Sequence, residues 1–191
     1  MEAGDDEVAG QAINPEMYSP RNLAKDLRKR AKIPVEECVS MTLALADALD
    51  FLHQQRLIHR DIKPSNIIFV DGVPELADIG LVTDIGGSGK KMTYVGTEGY
   101  IAPEGPGTAA ADLYSLGKVL YEASMGRDRQ QFPELPTSLA DRTDMAMLLG
   151  LNAIILKACE EDVGKRYQSA SELRADLLDL QRRFSQPRGA K

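Results

Sequence analysis

The sequence predicts a mainly α-helical domain that carries one small β-hairpin. Two observations predict it. Apolar residues recur at three- and four-residue spacing in several separate stretches, and Asp71-Gly72, the strongest two-residue hairpin signal, sits between two short β-prone runs. With 191 residues, 43% of them apolar, the chain can bury a real core as one domain.

Taken in order, Ser19-Pro20 reads as an N-cap followed by proline at the first helical position, with Leu23 and Leu27 on one face and an end near Lys32. Pro34 opens a second helix whose Cys38, Met41, Leu45, Leu49 and Leu52 form one apolar side. The runs 66–70 and 73–77 pair across Asp71-Gly72, and Pro74 leaves one edge unpaired. From Ile79 to Thr108 the chain is glycine-rich and aperiodic, long for a loop in a compact domain, and so read as functional. Leu113, Leu116 and Leu120 mark a core helix over 109–125, and Leu148, Leu149, Leu151, Ile154 and Ile155 another over 145–160. A capping box, Ser169 to Glu172, starts the last helix, with Leu173, Leu177, Leu180 and Phe184 on its apolar side. The expected organisation is a loose start over 1–18, one folded unit over 19–184 and a basic tail over 185–191, read as a solvated terminus.

Charge and cysteine usage narrow the function classes. A net charge of −6 argues against nucleic acid, which needs a basic surface to displace counterions. Cys38 and Cys159 are too few for a metal knuckle or a disulfide framework and are read as small core residues. No apolar run approaches the roughly 20 residues of a membrane span, and residues 1–17 lack the apolar region of a leader, so the cytoplasm is the expected compartment.

If Val70 pairs with Val73, then Asn66 faces Ala77 and lies beside Asp78. An amide oxygen and a carboxylate at one hairpin end form a hard-oxygen site suited to Mg²⁺, which keeps phosphate oxygens as further ligands. Just upstream runs His59-Arg60-Asp61-Ile62-Lys63-Pro64-Ser65-Asn66. There Asp61 could accept a hydroxyl proton and Lys63 could neutralise a transferring phosphoryl group. His59 is read as a packed structural histidine and His53, near a helix end, as incidental.

The run from His59 to Asn66 is similar to the catalytic loop of protein kinases, and Asp78-Ile79-Gly80 resembles their metal-binding Asp-Phe-Gly. Gly96-Thr97-Glu98-Gly99-Tyr100-Ile101-Ala102-Pro103-Glu104 resembles the end of their activation segment, and Asp112 to Gly117 the start of their central helix. The resemblance, closest to compact bacterial serine/threonine kinases, implies transfer of a phosphoryl group from ATP with Mg²⁺ to a protein serine or threonine. It implies Asp61 as base, Lys63 on phosphate, Thr97 orienting both, and Asn66 and Asp78 as Mg²⁺ ligands. It further implies Ile68 under the adenine, a Glu104 to Arg166 pair, Asp112 bracing the loop, and Arg60 reading a phosphate on Thr83, Ser88, Thr93 or Tyr94.

The pattern has gaps. No Gly-x-Gly-x-x-Gly loop and no Val-Ala-Ile-Lys run precedes His59, Ile79 replaces the family's phenylalanine, and Met1-Glu2-Ala3-Gly4 is similar to the family's hinge. The expectation is therefore a kinase-like C-terminal lobe without its N-lobe, weakly active alone, with an exposed surface for that lobe or another kinase. Two other classes stay open: an inactive kinase-like binding module, and a small-molecule phosphotransferase of the aminoglycoside or choline type. The intact Asp61, Asn66 and Asp78 count against the first, and Lys63-Pro64 with Ala102-Pro103-Glu104 against the second.

Overall fold

A computed structural model of the chain describes residues 20–78, 83–84, 96–136 and 143–185. Helix α1 (Leu23–Arg30) starts later than the Ser19-Pro20 pattern predicts, because Asn22 is the cap and its side chain accepts the Lys25 N–H at 3.0 Å. Residues 21 and 22 stay extended to serve a strand: the Arg21 carbonyl accepts from Phe69 N–H at 3.1 Å, and Asn22 bridges Ile68. Helix α2 (Val35–Gln54) buries Cys38, Met41, Leu45 and Leu49 as its spacing requires.

Strand β1 (Leu57–Ile58) pairs antiparallel with β4 (Thr83–Asp84), and between them β2 (Ile67–Val70) and β3 (Val73–Leu76) form the hairpin. Its register matches the turn chemistry: Val70 faces Val73, Phe69 faces Pro74 and Ile67 faces Leu76. Asp71 and Gly72 both hold positive φ, 51° and 80°, as a type I′ turn demands. Strand β3 has no second strand partner among the described residues, consistent with Pro74 on its edge.

Helix α3 (Ala109–Met125), capped by Thr108 and ended by Gly126 at φ 64°, is buried on nearly every side between α2 and α4 (Met145–Ala158). Fully burying side chains such as Leu113, Leu116 and Leu120 contributes roughly 1.5–3 kcal/mol each. Helix α5 (Ala170–Ser185) closes the core against α2 and α4 with Leu173, Leu177 and Leu180. Ser169 caps it, while Glu172 reaches back to the amide of Gln168 at 2.9 Å, one residue earlier than a capping box predicts. Leu149 and Phe184, expected in the core, are exposed at 43% and 38%, since each lies on its helix's outer side. No helix among the described residues is long and apolar enough to cross a membrane.

Candidate active site

Residues 59–66 form the loop between β1 and β2, and α3 fixes its backbone. Asp112, 1% exposed in the first turn of α3, accepts the N–H of His59 with Oδ2 and that of Arg60 with Oδ1, each at 2.9 Å. Those bonds hold Arg60 at φ 71°, a left-handed geometry that costs on the order of 1–3 kcal/mol. His53 Nε2 lies 2.9 Å from the same Oδ2, so it belongs to this brace. The only sequence signal for it was its place in the last turn of the helix leading into the loop. His59 is fully buried with Nε2 3.1 Å from the Ala77 carbonyl, tying the loop to the hairpin's exit. Asp112→Ala strands two amides near the core, so urea denaturation should read a loss of about 2–4 kcal/mol.

Asp61, 8% exposed, sits at the centre of a polar triangle. Lys63 Nζ is 2.7 Å from Asp61 Oδ2 and donates to Thr97 Oγ1 at 3.0 Å, while Thr97 Oγ1 donates to Asp61 Oδ1 at 3.1 Å. Burial works against the carboxylate's charge, but the Lys63 bond and charge, with donors from Thr97 and Asn66, outweigh it and hold Asp61 below the usual carboxylate range. At neutral pH the group is an ionised acceptor aimed by two neighbours.

Asn66 ends a 3-10 turn, Pro64–Asn66, and its Nδ2 donates to both the carbonyl and Oδ2 of Asp61, at 2.9 and 3.1 Å. That leaves Oδ1, approached by Ser65 Oγ at 3.3 Å, as the amide atom a cation could use. The Ala77 N–H donates to the Asn66 carbonyl at 2.8 Å, which continues the hairpin register and sets Asp78 one residue beyond. Asp78 is exposed at φ 66°, a geometry aspartate tolerates. One amide oxygen and one open carboxylate fit Mg²⁺, which takes few protein ligands. Among the described residues no group of three or more His, Cys, Asp or Glu could hold a metal by itself.

Arg166, with a fully buried side chain, donates to Glu104 through Nη1 at 2.6 Å and Nη2 at 3.2 Å, to the Ala110 carbonyl at 3.2 Å and to the Glu160 carbonyl at 3.0 Å. Ile68 is half-buried in β2. Ile79, Gly80, Ser88, Thr93, Tyr94 and the start at Met1–Gly4 lie outside the described residues, and of Thr83 only the backbone pairing is described. Sequence reasoning missed the support under Thr97. The Tyr100 carbonyl accepts from Ser115 Oγ at 2.8 Å, the Tyr100 hydroxyl donates to Glu122, and Arg129 stacks on the Tyr100 ring at 4.7 Å.

The family model for the protein kinase domain matches residues 11–183. Over 195 residues the chain is 31% identical to a probable serine/threonine-protein kinase of Streptomyces coelicolor, covering 90% of this chain and 28% of that protein. It is 36% identical over 151 residues to serine/threonine-protein kinase PknB of Mycobacterium tuberculosis, covering 69% of this chain and 24% of that one. A probable PknB of Corynebacterium glutamicum is 29% identical over 191 residues, with 87% of this chain and 29% of that protein covered. The chain thus spans less than a third of the length of these relatives.

Proposed function

We infer the function from the family: the chain belongs to the protein kinase domain family, and its relatives include serine/threonine-protein kinases. The activity best supported is transfer of the γ-phosphoryl group of Mg·ATP to a serine or threonine hydroxyl of a protein, in the cytoplasm where ATP is the donor. The observation that carries this reading is the closed triangle of Asp61, Lys63 and Thr97 beside Asn66.

In this reading Asp61 accepts a hydrogen bond from the substrate hydroxyl and takes its proton as the new bond to phosphorus forms. A carboxylate held this acidic is a weak base, so its first duty is orientation. Thr97 keeps Asp61 and Lys63 in register, and Lys63 offsets charge on the moving phosphoryl group. Mg·ATP, when bound, supplies that group and the cation that neutralises it; Asn66 and Asp78 would hold the cation, and Ile68 would lie under the base. Arg60 would pair with a phosphate carried on Thr83, Ser88, Thr93 or Tyr94, a role favoured by its buried Nε without a hydrogen-bond partner among the described residues.

In this reading the chain supplies the family's C-terminal lobe, which is favoured by the lack of a Gly-x-Gly-x-x-Gly or Val-Ala-Ile-Lys run before His59, the motifs that position ATP in the family. These residues alone should transfer slowly, and contact with an N-lobe or another kinase would complete the site. The test is radiolabel transfer from Mg·ATP to mixed acidic and basic proteins, by the chain alone and fused to the N-lobe of a related kinase, followed by phosphoamino-acid analysis. Label on serine and threonine is the expected result; label on tyrosine, or on a small hydroxylated molecule instead of protein, would sink the reading.

A further inference from the structure

A groove of about 470 Å³ opens beside Lys63, lined by Arg28 of α1, by Arg127, Asp128 and Arg129 after α3, and by Glu122. Its charge runs against that of the chain, which carries 29 acidic and 23 basic residues. Both carboxylates in the lining are already engaged. Glu122 accepts from the Tyr100 hydroxyl, and Asp128 caps its turn by accepting the Gln130 N–H at 2.8 Å and lies 3.5 Å from Arg129. Lys63 faces Asp61. Arg28 bonds the Ala24 carbonyl of its own helix at 3.3 Å and pairs with no carboxylate among the described residues. Among the described residues Arg127 pairs only with Glu134, 63% exposed, at 3.1 Å.

Arg129 is fixed before any ligand arrives. Lys118, 7% exposed, holds its carbonyl at 2.7 Å, its Nε donates to the Glu98 carbonyl at 3.0 Å, and its guanidinium lies over Tyr100. Gly99, at φ 87°, makes the approach possible, since a Cβ there would come within 2.7 Å of Arg129 Nε. A guanidinium already ordered loses little freedom when it meets an anion.

We propose that this groove receives an acidic segment of the protein substrate beside its serine or threonine, with Arg28, Arg127 and Arg129 meeting the substrate's carboxylates. The proposal rests on the kinase reading above and adds the substrate's charge to it. Exposed ion pairs are individually weak, so two or three together give a preference of about tenfold that falls as salt rises.

The test is fluorescence anisotropy of the full chain with labelled peptides carrying a central serine flanked by glutamates, alanines or arginines. Glutamate flanks should bind about tenfold tighter than alanine flanks, arginine flanks weakest, and the Arg28→Glu, Arg127→Glu double variant, with unchanged circular dichroism, should invert that order. Equal affinity for all three peptides, a lead for arginine flanks, no binding by the glutamate peptide, or an order unchanged in the double variant would overturn the proposal. Transfer separates it from its premise: serine labelling by the chain, alone or fused to a related kinase's N-lobe, but no charge preference removes the groove assignment alone. Charge preference without any labelling removes the kinase reading alone.

Discussion

Asp61→Asn lowers the rate of phosphoryl transfer by about 10²- to 10⁴-fold, the range a positioned general base supplies. The asparagine keeps the size of the side chain but can no longer accept from Lys63, Thr97 and Asn66 together, all of which converge on the carboxylate in the wild-type chain. Nucleotide affinity should change little, because Asp61 is not among the residues assigned to the cation. Initial rates over a range of ATP concentrations separate the two: a fall in kcat with KM for ATP nearly constant is expected. A variant that keeps more than about a tenth of the wild-type rate would show that Asp61 contributes less than a base should.

Glu104→Ala costs about 3 kcal/mol of folding stability, near the lower end for breaking a buried ion pair. The variant leaves the Arg166 guanidinium, fully out of water, with only the carbonyls of Ala110 and Glu160. Arg166→Met should cost less, since methionine carries no charge to strand and Glu104 is about a quarter exposed. Urea denaturation of both variants checks the order. A larger loss for Arg166→Met would mean that the arginine's packing under Tyr114, 5.0 Å from the ring centroid, matters more than its charge.

What could be read from the sequence follows from how local each signal is. The hairpin register was legible because Asp71-Gly72 dictates a two-residue turn, and a turn of known length sets every pair along β2 and β3. The core faces of α2 and α3 were legible because their spacing repeats over several turns. The start of α1 was not, since Pro20 offers an equally good local signal and only the distant edge of β2 keeps residues 21 and 22 extended. Within the site, the kinase-like motifs pointed to Asp61, Lys63, Thr97 and Asn66, and the structure brings these four together. The role of Arg129 had no local signature, and that of His53 had only its place in the last turn of α2. Each depends on a partner far along the chain, Asp112 for the first and Glu98, Tyr100 and Lys118 for the second.

We propose that the loop 59–66 and the end of the hairpin make one metal and phosphate site. Its most direct test is paramagnetic broadening of backbone amide resonances on titration with Mn²⁺ and a non-hydrolysable ATP analogue. The amides of Asp61, Asn66 and Asp78 should broaden first, and Asp78→Asn, which the left-handed backbone tolerates, should weaken the effect. Broadening confined to the exposed carboxylates of Glu161 and Asp162, with Asn66 and Asp78 untouched, would contradict the assignment.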